Sequence, residues 1–498
     1  MKYKNGMLSA IFGILQQLIT LTFGIIVPRI FIRTFGSEMN GFLGTLGNLY
    51  SYLALLEAGV GTVAIQALYG PVGKNDRKTI NEIMAATSNY YNKAGALYLL
   101  GVVAISVIYP LTITTTINVE TMMLISLLNG LGGVISFWLQ GKYTVLLHAE
   151  GKKYLMSIVG TCMYVAQNIM KIVLLLKGFD VIAIHIGYFM ISLSQMIFYM
   201  FYMKKHYKWL NLKVKPKDGA LEQSGAVFVQ QITWMICQNT DVLVLTYVTR
   251  DLKAVSVYSV YLMIYTALER LFNTLFGSFH YLLGQKYNTN KEEYRVFHKI
   301  YEDLSMTGAF VLYTIAYILT VPFMKIYTMG ITDVNYVDDK LAMLFAIMHL
   351  IYSSREASSR VINFAGHFKQ MQWRAILESV INIVVSIVLA KQIGIYGVLF
   401  GTIVAYVYRT TDIILYANRK LLNRKCWETY KIWSINTLIF VLVFWLTKHL
   451  NLQVYNFWDF FIKAIMVSIV VTILYILKIF LFERKNMEYL FRFIKSRK

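Results

Sequence analysis

The sequence predicts an all-α integral membrane protein of about fourteen transmembrane helices, built as two parallel six-helix repeats followed by two extra C-terminal helices. Three observations predict it. The 498 residues are 57% hydrophobic and only 15% charged, with a mean hydropathy of +0.54; soluble domains sit nearer roughly 45–50% apolar and about 25% charged. Apolar runs of about 20 residues recur along the chain, the length that crosses a hydrocarbon core of about 30 Å. Finally, residues of the first half return at a fixed distance: Gln16-Gln17 reappear as Gln230-Gln231, 214 positions on.

Taken in order, the predicted spans cover about 7–27, 41–67, 84–110, 121–147, 155–176, 182–203, 222–249, 256–283, 303–322, 341–366, 374–391, 396–417, 433–449 and 460–482. The first begins MKYKNG and has a basic tip. It lacks a small-residue cleavage site and is interrupted by two glutamines, so it reads as a membrane helix rather than a removed signal peptide. Pro28, Pro71, Pro110 and Pro322 fall at expected helix ends, and Pro216 falls in the longest basic loop. That placement is expected because an interior proline removes a backbone hydrogen bond. Cys162, Cys237 and Cys426 form no pattern, so neither a disulfide framework nor a metal site is expected.

The net charge is +22. In a soluble protein such a balance would point to nucleic acid; here no nucleic-acid partner is expected, because the charge is confined to alternate loops. Thirty Lys and Arg residues fall in the loops and tails on the N-terminal side, including six lysines between 204 and 217. Nine fall on the other side, from Arg29 to Lys448. The positive-inside rule then puts both termini in the cytoplasm.

The repeat sets the domain plan. The offset of Gln16 to Gln230 recurs, within about two residues, from Glu57 to Glu269, Pro110 to Pro322, Asn168 to Asn382 and Gly187 to Gly401. Six helices per copy is an even number, so both copies enter from the same face. Residues 1–208 form an N-lobe of helices one to six, 209–221 a basic linker, 222–420 a C-lobe of helices seven to twelve, and 421–498 helices thirteen and fourteen with a basic tail.

Charges inside the spans carry the functional signal. A charge at the bilayer centre costs roughly 2.5–3.5 kcal/mol on insertion scales, so it needs a partner, a wet cavity or a ligand. The deep ones are Glu57, Asp241, Glu269, Arg270, Arg355 and Glu356. Within Val255–Leu283, Thr266, Arg270, Asn273, Gly277 and His280 share one helical face. Tyr352, Arg355, Ser359 and Asn363 form a similar stripe, and Glu356 can pair with Arg360 at i, i+4. Arg270, Arg355 and Arg360 are the candidate anion-binding residues, since guanidinium stays charged when buried and offers a fork of donors. Gln16, Gln17, Asn48, Gln230, Gln231, Asn239 and Asn273 could bond sugar hydroxyls, or could hold helices together, a common use of membrane amides. No phosphate loop and no zinc motif occurs. Energy would then come from an ion gradient, the membrane potential or removal of product, and Glu57, Asp241 and Glu269 are the candidate ion or proton sites. Lys93, Lys142, Lys171, Arg409, Lys463 and Lys478 lie nearer span ends and are expected to snorkel, with Arg409–Asp412 a near-surface pair.

The stretch Leu53–Asp76 (LALLEAGVGTVAIQALYGPVGKND) resembles the second-helix signature of bacterial polysaccharide-biosynthesis flippases in the multidrug/oligosaccharidyl-lipid/polysaccharide (MOP) superfamily. Pro28-Arg29 with Phe35-Gly36 and Gly41, and Gln238-Asn-Thr-Asp241 with Leu243, are similar to theirs. The resemblance implies MATE-like lobes in a bacterial cytoplasmic membrane. It implies a monomeric, cofactor-free flippase that moves an undecaprenyl-pyrophosphate-linked oligosaccharide, a capsule, exopolysaccharide or similar repeat unit, to the outer leaflet by alternating access. Arg270, Arg355 and Arg360 would hold the pyrophosphate; membrane lipids, a polymerase and other polysaccharide assembly proteins would be partners. Fourteen helices also fit a lipid II flippase. A cation-coupled drug exporter of the same superfamily would favour an acidic, aromatic cavity. A membrane glycosyltransferase or polymerase would need catalytic groups in a sizeable outer loop; the longest candidate, from Lys325 to Lys340 with Asp333, Asp338 and Asp339, is short.

Overall fold

The computed structural model describes residues 2–57, 60–217, 235, 239–277, 279–447 and 452–482, and all its regular elements are helical. Ten helices among these residues are long and apolar enough to cross a membrane. The chain is an all-helical, multi-pass membrane protein. Helices satisfy every backbone polar group internally, which lipid demands.

The chain divides into two compact units, residues 1–256 and 257–498. In the first, α1 (Lys2–Leu53) is followed by a 3₁₀ turn (Ala54–Glu57), α2 (Val60–Gly73), α3 (Arg77–Thr112), α4 (Val119–Val134), a π-helical stretch (Ile135–Gln140), α5 (Gly141–Ala149), α6 (Lys153–Leu176), α7 (Val181–His206) and helical residues 239–249. Next comes α8 (Leu252–Gly277), which starts in the first unit. The second unit continues with α9 (His280–Thr289), α10 (Lys291–Tyr327), α11 (Asp339–Ser354), α12 (Glu356–Phe364), α13 (Phe368–Ile393) and α14 (Ile395–Tyr416). The added pair is α15 (Trp427–Thr447) and α16 (Phe457–Phe482).

The repeat is visible in the punctuation of the helices. Asp76 caps α3 by accepting from the Thr79 N–H at 3.2 Å, and Asn290, at the same offset, caps α10 by accepting from Glu293 N–H at 3.1 Å. Such caps satisfy an orphan donor of the first turn. The two bonds from Thr79 also hold the exposed Asp76 carboxyl below its ordinary range. Gly36 (φ 82°) and Arg250 (φ 54°), 214 apart, both take positive φ where the helical path turns. The π-helical stretch after α4 and the break at Arg355 after α11 interrupt corresponding helices.

The prolines correct one expectation. Helix α1 runs through Pro28 and turns only at Gly36, and α10 runs through Pro322 to Tyr327. Pro28 removes one backbone donor from α1 without ending it. Gly36, which lacks a Cβ, is the cheaper place to turn.

In the first unit, Thr45 and Thr246 share a 2.7 Å hydrogen bond, Tyr52 and Thr240 one of 2.9 Å, and Asn40 donates to Ser256 at 2.8 Å. The closest approach is at Gly41, where a Cβ would lie 1.8 Å from the Leu252 carbonyl oxygen. Gly41→Ala is therefore expected to destabilise by about 3 kcal/mol, the upper end of overpacking costs, because backbone rather than a flexible side chain must yield. A thermal unfolding scan in detergent reads this; an unchanged midpoint would refute the packing. Residues 209–217, the start of the predicted linker, lie on the start of α3: Asn81 donates to the Trp209 carbonyl, Lys217 N–H donates to the Glu82 carbonyl, and Arg77 sits over the Trp209 ring at 5.2 Å.

In the second unit, α8 carries a ladder of buried tyrosines. Tyr261 donates to the carbonyls of Tyr336 (2.9 Å) and Asp338 (3.1 Å), and Tyr265 to that of Ala342 (2.9 Å). Helix α10 receives the added pair. Lys478 on α16, 2% exposed, meets Asp303 at 2.8 Å and Thr307 at 3.2 Å, while Tyr475 and Thr314 share a 3.1 Å bond. The expectation that Lys478 snorkels is thus corrected: a carboxylate on α10, far away in sequence, keeps it inside. The opposite flank of α16, with Ile465, Ile469 and Ile473, is exposed and apolar, as a lipid-facing surface must be.

Candidate functional site

The first unit holds a cavity of about 290 Å³ between α1, α4, α6 and α7. Its size is near the lower end of small-molecule pockets, roughly 300 Å³ upward. Its polar wall is Tyr50, Asn129, Tyr164, Gln167, Asn168, Lys171, His185 and Tyr188, with no carboxylate among the lining residues. Several of these are held in place. Tyr50 donates to the Ser126 carbonyl at 2.5 Å, Asn168 to its own helix at 2.7 Å, and Asn129 contacts His185 Nδ1 at 3.1 Å. The Lys171 ammonium lies 4.7 Å over the Phe31 ring and has no carboxylate partner among the described residues. The buried His185 leaves Nε2 without a hydrogen-bond partner. One cation ringed by amides, phenols and an imidazole suits a solute that is anionic and rich in hydroxyls. It offers nothing to neutralise a cation.

The second unit instead carries charges in mutual contact along the broken helix α11–α12. Glu269 lies 3.3 Å from His349, close enough for attraction without hydrogen-bond alignment, and His349 stacks on Tyr265. His280 and Arg360 both meet Glu356, at 2.9 and 2.6 Å. Arg355 donates to Glu378 at 2.9 Å and lies 4.4 Å over Tyr352. Glu378 also faces Arg409 at 3.4 Å; Arg409 reaches Asp412 at 2.9 Å, and Arg374 pairs with the same carboxylate. Arg355 stands at the helix break and reaches Glu378 on α13. The expected Arg409–Asp412 pair is present, with Arg409 buried and Asp412 half-buried.

Of the predicted anion-binding arginines, Arg355 and Arg360 therefore already hold carboxylates. Arg270 is exposed and makes no ion pair among the described residues, and Asn273 beside it is also exposed. Glu57 accepts from Tyr91 at 2.6 Å in the 3₁₀ turn, and Asp241 is buried in the first unit. Asn48 and Asn239 bond to carbonyls of their own helices, at 2.8 and 3.1 Å, and Gln17 leaves a buried Nε2 without a partner. Gln16 is half-buried on α1; Gln230 and Gln231 lie outside the described residues. Sequence reasoning missed the cavity wall and Glu378. The spacing of Tyr164, Asn168 and Lys171 at i, i+4, i+7 was the available signal: a polar stripe on an apolar helix.

No protein-family model matches the sequence, and no curated protein matches it. Solved structures do. A lipid II flippase, MurJ, in an inward closed conformation superposes with a TM-score of 0.69 at 16% identity, covering 97% of this chain and 100% of that one. An inward-facing multidrug resistance MATE family transporter of the MOP superfamily gives 0.67 at 13% identity, covering 81% and 95%. A MOP superfamily transporter from Pyrococcus furiosus gives 0.55 at 13% identity, covering 82% and 95%. The coverage of 97% must extend over the added pair α15–α16. The chain has the fold of the MOP superfamily transporters, with two further helices at its C-terminal end.

Proposed function

We propose that this protein is a flippase that moves an undecaprenyl-pyrophosphate-linked oligosaccharide from the inner to the outer leaflet of a bacterial cytoplasmic membrane, with both termini cytoplasmic. The observation that carries the reading is the cavity of the first unit: one unpaired lysine in a ring of amide, phenol and imidazole groups, with no carboxylate. Sugar hydroxyls take up the amides and phenols, and Lys171 takes a phosphate oxygen. A drug exporter for cations would need acid there. Arg270, in the second unit, is exposed and without an ion pair among the described residues, and is that unit's candidate for an anionic group. Glu57, Asp241 and Glu269 are the coupling carboxylates of this reading, and Glu269 lies beside the His349 imidazole. The polyprenyl-linked glycan is the partner, with a polymerase and other polysaccharide assembly proteins downstream.

A second reading, lipid II as the cargo, is favoured by one observation: the superposition on a lipid II flippase covers 97% of this chain, the added helix pair included. Both cargoes are pyrophosphate-linked glycans and use the same cavity.

The test is flipping of a fluorescent polyprenyl-pyrophosphate glycan in proteoliposomes. Lys171→Gln is expected to lower the rate at least about tenfold, the worth of one charge-assisted bond of about 1.5 kcal/mol, while Lys171→Arg keeps most of it. Full activity in Lys171→Gln, or transport of an organic cation in place of the glycan, would overturn the reading.

A further inference from the structure

A second cavity, of about 320 Å³, lies in the second unit between the start of α10 and the turn that joins α14 to α15. Arg295, His298, Lys299, Leu422, Arg424 and Glu428 line it. It shares no residue with the cavity of the first unit or with the charged column along α11–α12.

Its floor is built rather than accidental. Glu302, 1% exposed, accepts from Arg424 at 2.5 Å and from Thr429 at 2.8 Å. Arg424 is held further by Asn418 at 2.5 Å, so the guanidinium is fixed in the wall. Above it stand Arg295 and Lys299, one turn apart on α10. Their acids are weak partners: Glu292, paired with Arg295 at 3.0 Å, is 83% exposed, and Glu428 is 3.9 Å from Lys299. Such exposed pairs are worth about 0–1 kcal/mol each. The cations are therefore available.

The feature that points to a ligand is His298. It is 1% exposed, lines the cavity, and leaves Nε2 without a hydrogen-bond partner among the described residues. Its other nitrogen faces the Tyr294 hydroxyl at 3.4 Å. In the tautomer in which Nδ1 accepts there, the Nε2 N–H is an unused donor. A buried donor left unused is costly, so the cavity needs an acceptor that the protein does not supply.

We infer that this cavity binds a phosphate-bearing anion, with His298 Nε2, Arg424, Arg295 and Lys299 as its donors. The neighbouring segments carry Lys286, Lys291, Arg419, Lys420 and Lys425. Basic pockets between membrane helices at the basic face take acidic lipid headgroups in this way, and an inorganic phosphate offers the same oxygens.

The experiment is native mass spectrometry of the full chain in detergent, titrated with phosphatidylglycerol or phosphatidylcholine, with and without millimolar inorganic phosphate. Phosphatidylglycerol adducts are expected to exceed phosphatidylcholine adducts. The double variant Arg295→Gln/Lys299→Gln, whose side chains are partly exposed and leave the Arg424–Glu302 floor intact, is expected to lower them by roughly tenfold or more. His298→Phe, which removes the buried donor, lowers them as well. Lys204→Gln/Lys205→Gln, exposed at the end of α7, leaves them unchanged. If phosphate fails to displace the lipid, the ligand is a headgroup; if it displaces it, the site takes the soluble anion. Equal phosphatidylglycerol binding by the wild type and the Arg295/Lys299 variant would overturn the site, as would an equal loss in the Lys204/Lys205 variant.

Discussion

Glu378→Gln is expected to destabilise the protein by about 3–5 kcal/mol, the cost of breaking a buried ion pair from one side. Glu378 is the only carboxylate within reach of Arg355 among the described residues, and it also faces Arg409. Both guanidinium groups are largely buried, with side chains 14% and 9% exposed. Glutamine keeps the shape and one acceptor but removes the charge that holds two cations. Arg409 retains Asp412, so the stranded group is Arg355. Its stacking on Tyr352 and Tyr406 returns only a part, about 0.5–2 kcal/mol for a cation over a ring. The double variant Glu378→Gln/Arg355→Met is expected to recover most of the loss. Thermal unfolding in detergent measures both. If Glu378→Gln melts with the wild type, the ladder has no structural weight, and Arg355 becomes free to serve a substrate anion.

The second large effect concerns the added helices. Lys478→Met leaves Asp303 without its cation in a site where both side chains are 1–2% exposed. The expected loss is again about 3–5 kcal/mol, and it should appear as early proteolysis or melting of 427–482. The double variant Asp303→Leu/Lys478→Met is expected to return to near wild-type stability, since apolar replacement of a whole buried pair is often neutral or favourable. Were the single variant as stable as the wild type, the Asp303–Lys478 contact would have no structural weight. The two experiments are independent, because Asp303 and Glu378 share no partner.

The fold was largely legible in the sequence because lipid leaves few choices. Apolar runs of span length must be helices, and the return of Gln16-Gln17, Glu57 and Pro110 at one offset revealed the repeat before any coordinate. Helix ends were less legible. Proline chemistry suggested an end at Pro28, but the helix continues past it and turns at Gly36, where positive φ is cheap. The site was legible only in part. Depth along a span identifies charges that need an explanation, and Glu269, Arg355 and Glu356 do have one in the structure. It cannot say which helix faces which. Glu378 drew no notice in the sequence, yet it meets Arg355 and Arg409. Lys171 looked like a snorkelling lysine, yet it lines a polar cavity. Pairing across helices is a three-dimensional fact, and a linear pattern of polarity reports only one side of it.

The tyrosines of α8 have a consequence for how the second unit is assembled. Two helices packed by apolar side chains in lipid can slide along each other with little change in buried area, because the surrounding chains are as apolar as the contact. Tyr261 and Tyr265 remove that freedom. Each hydroxyl is a peg with a fixed seat, Tyr261 at the carbonyls of Tyr336 and Asp338 and Tyr265 at that of Ala342. A slip by one helical turn, about 5.4 Å, would pull every peg at once and leave each hydroxyl in a medium with no water to replace its partner. The ladder thus fixes axial register as well as contact, so that the charged groups further along α8 and α11, Glu269 and His349, arrive opposite each other.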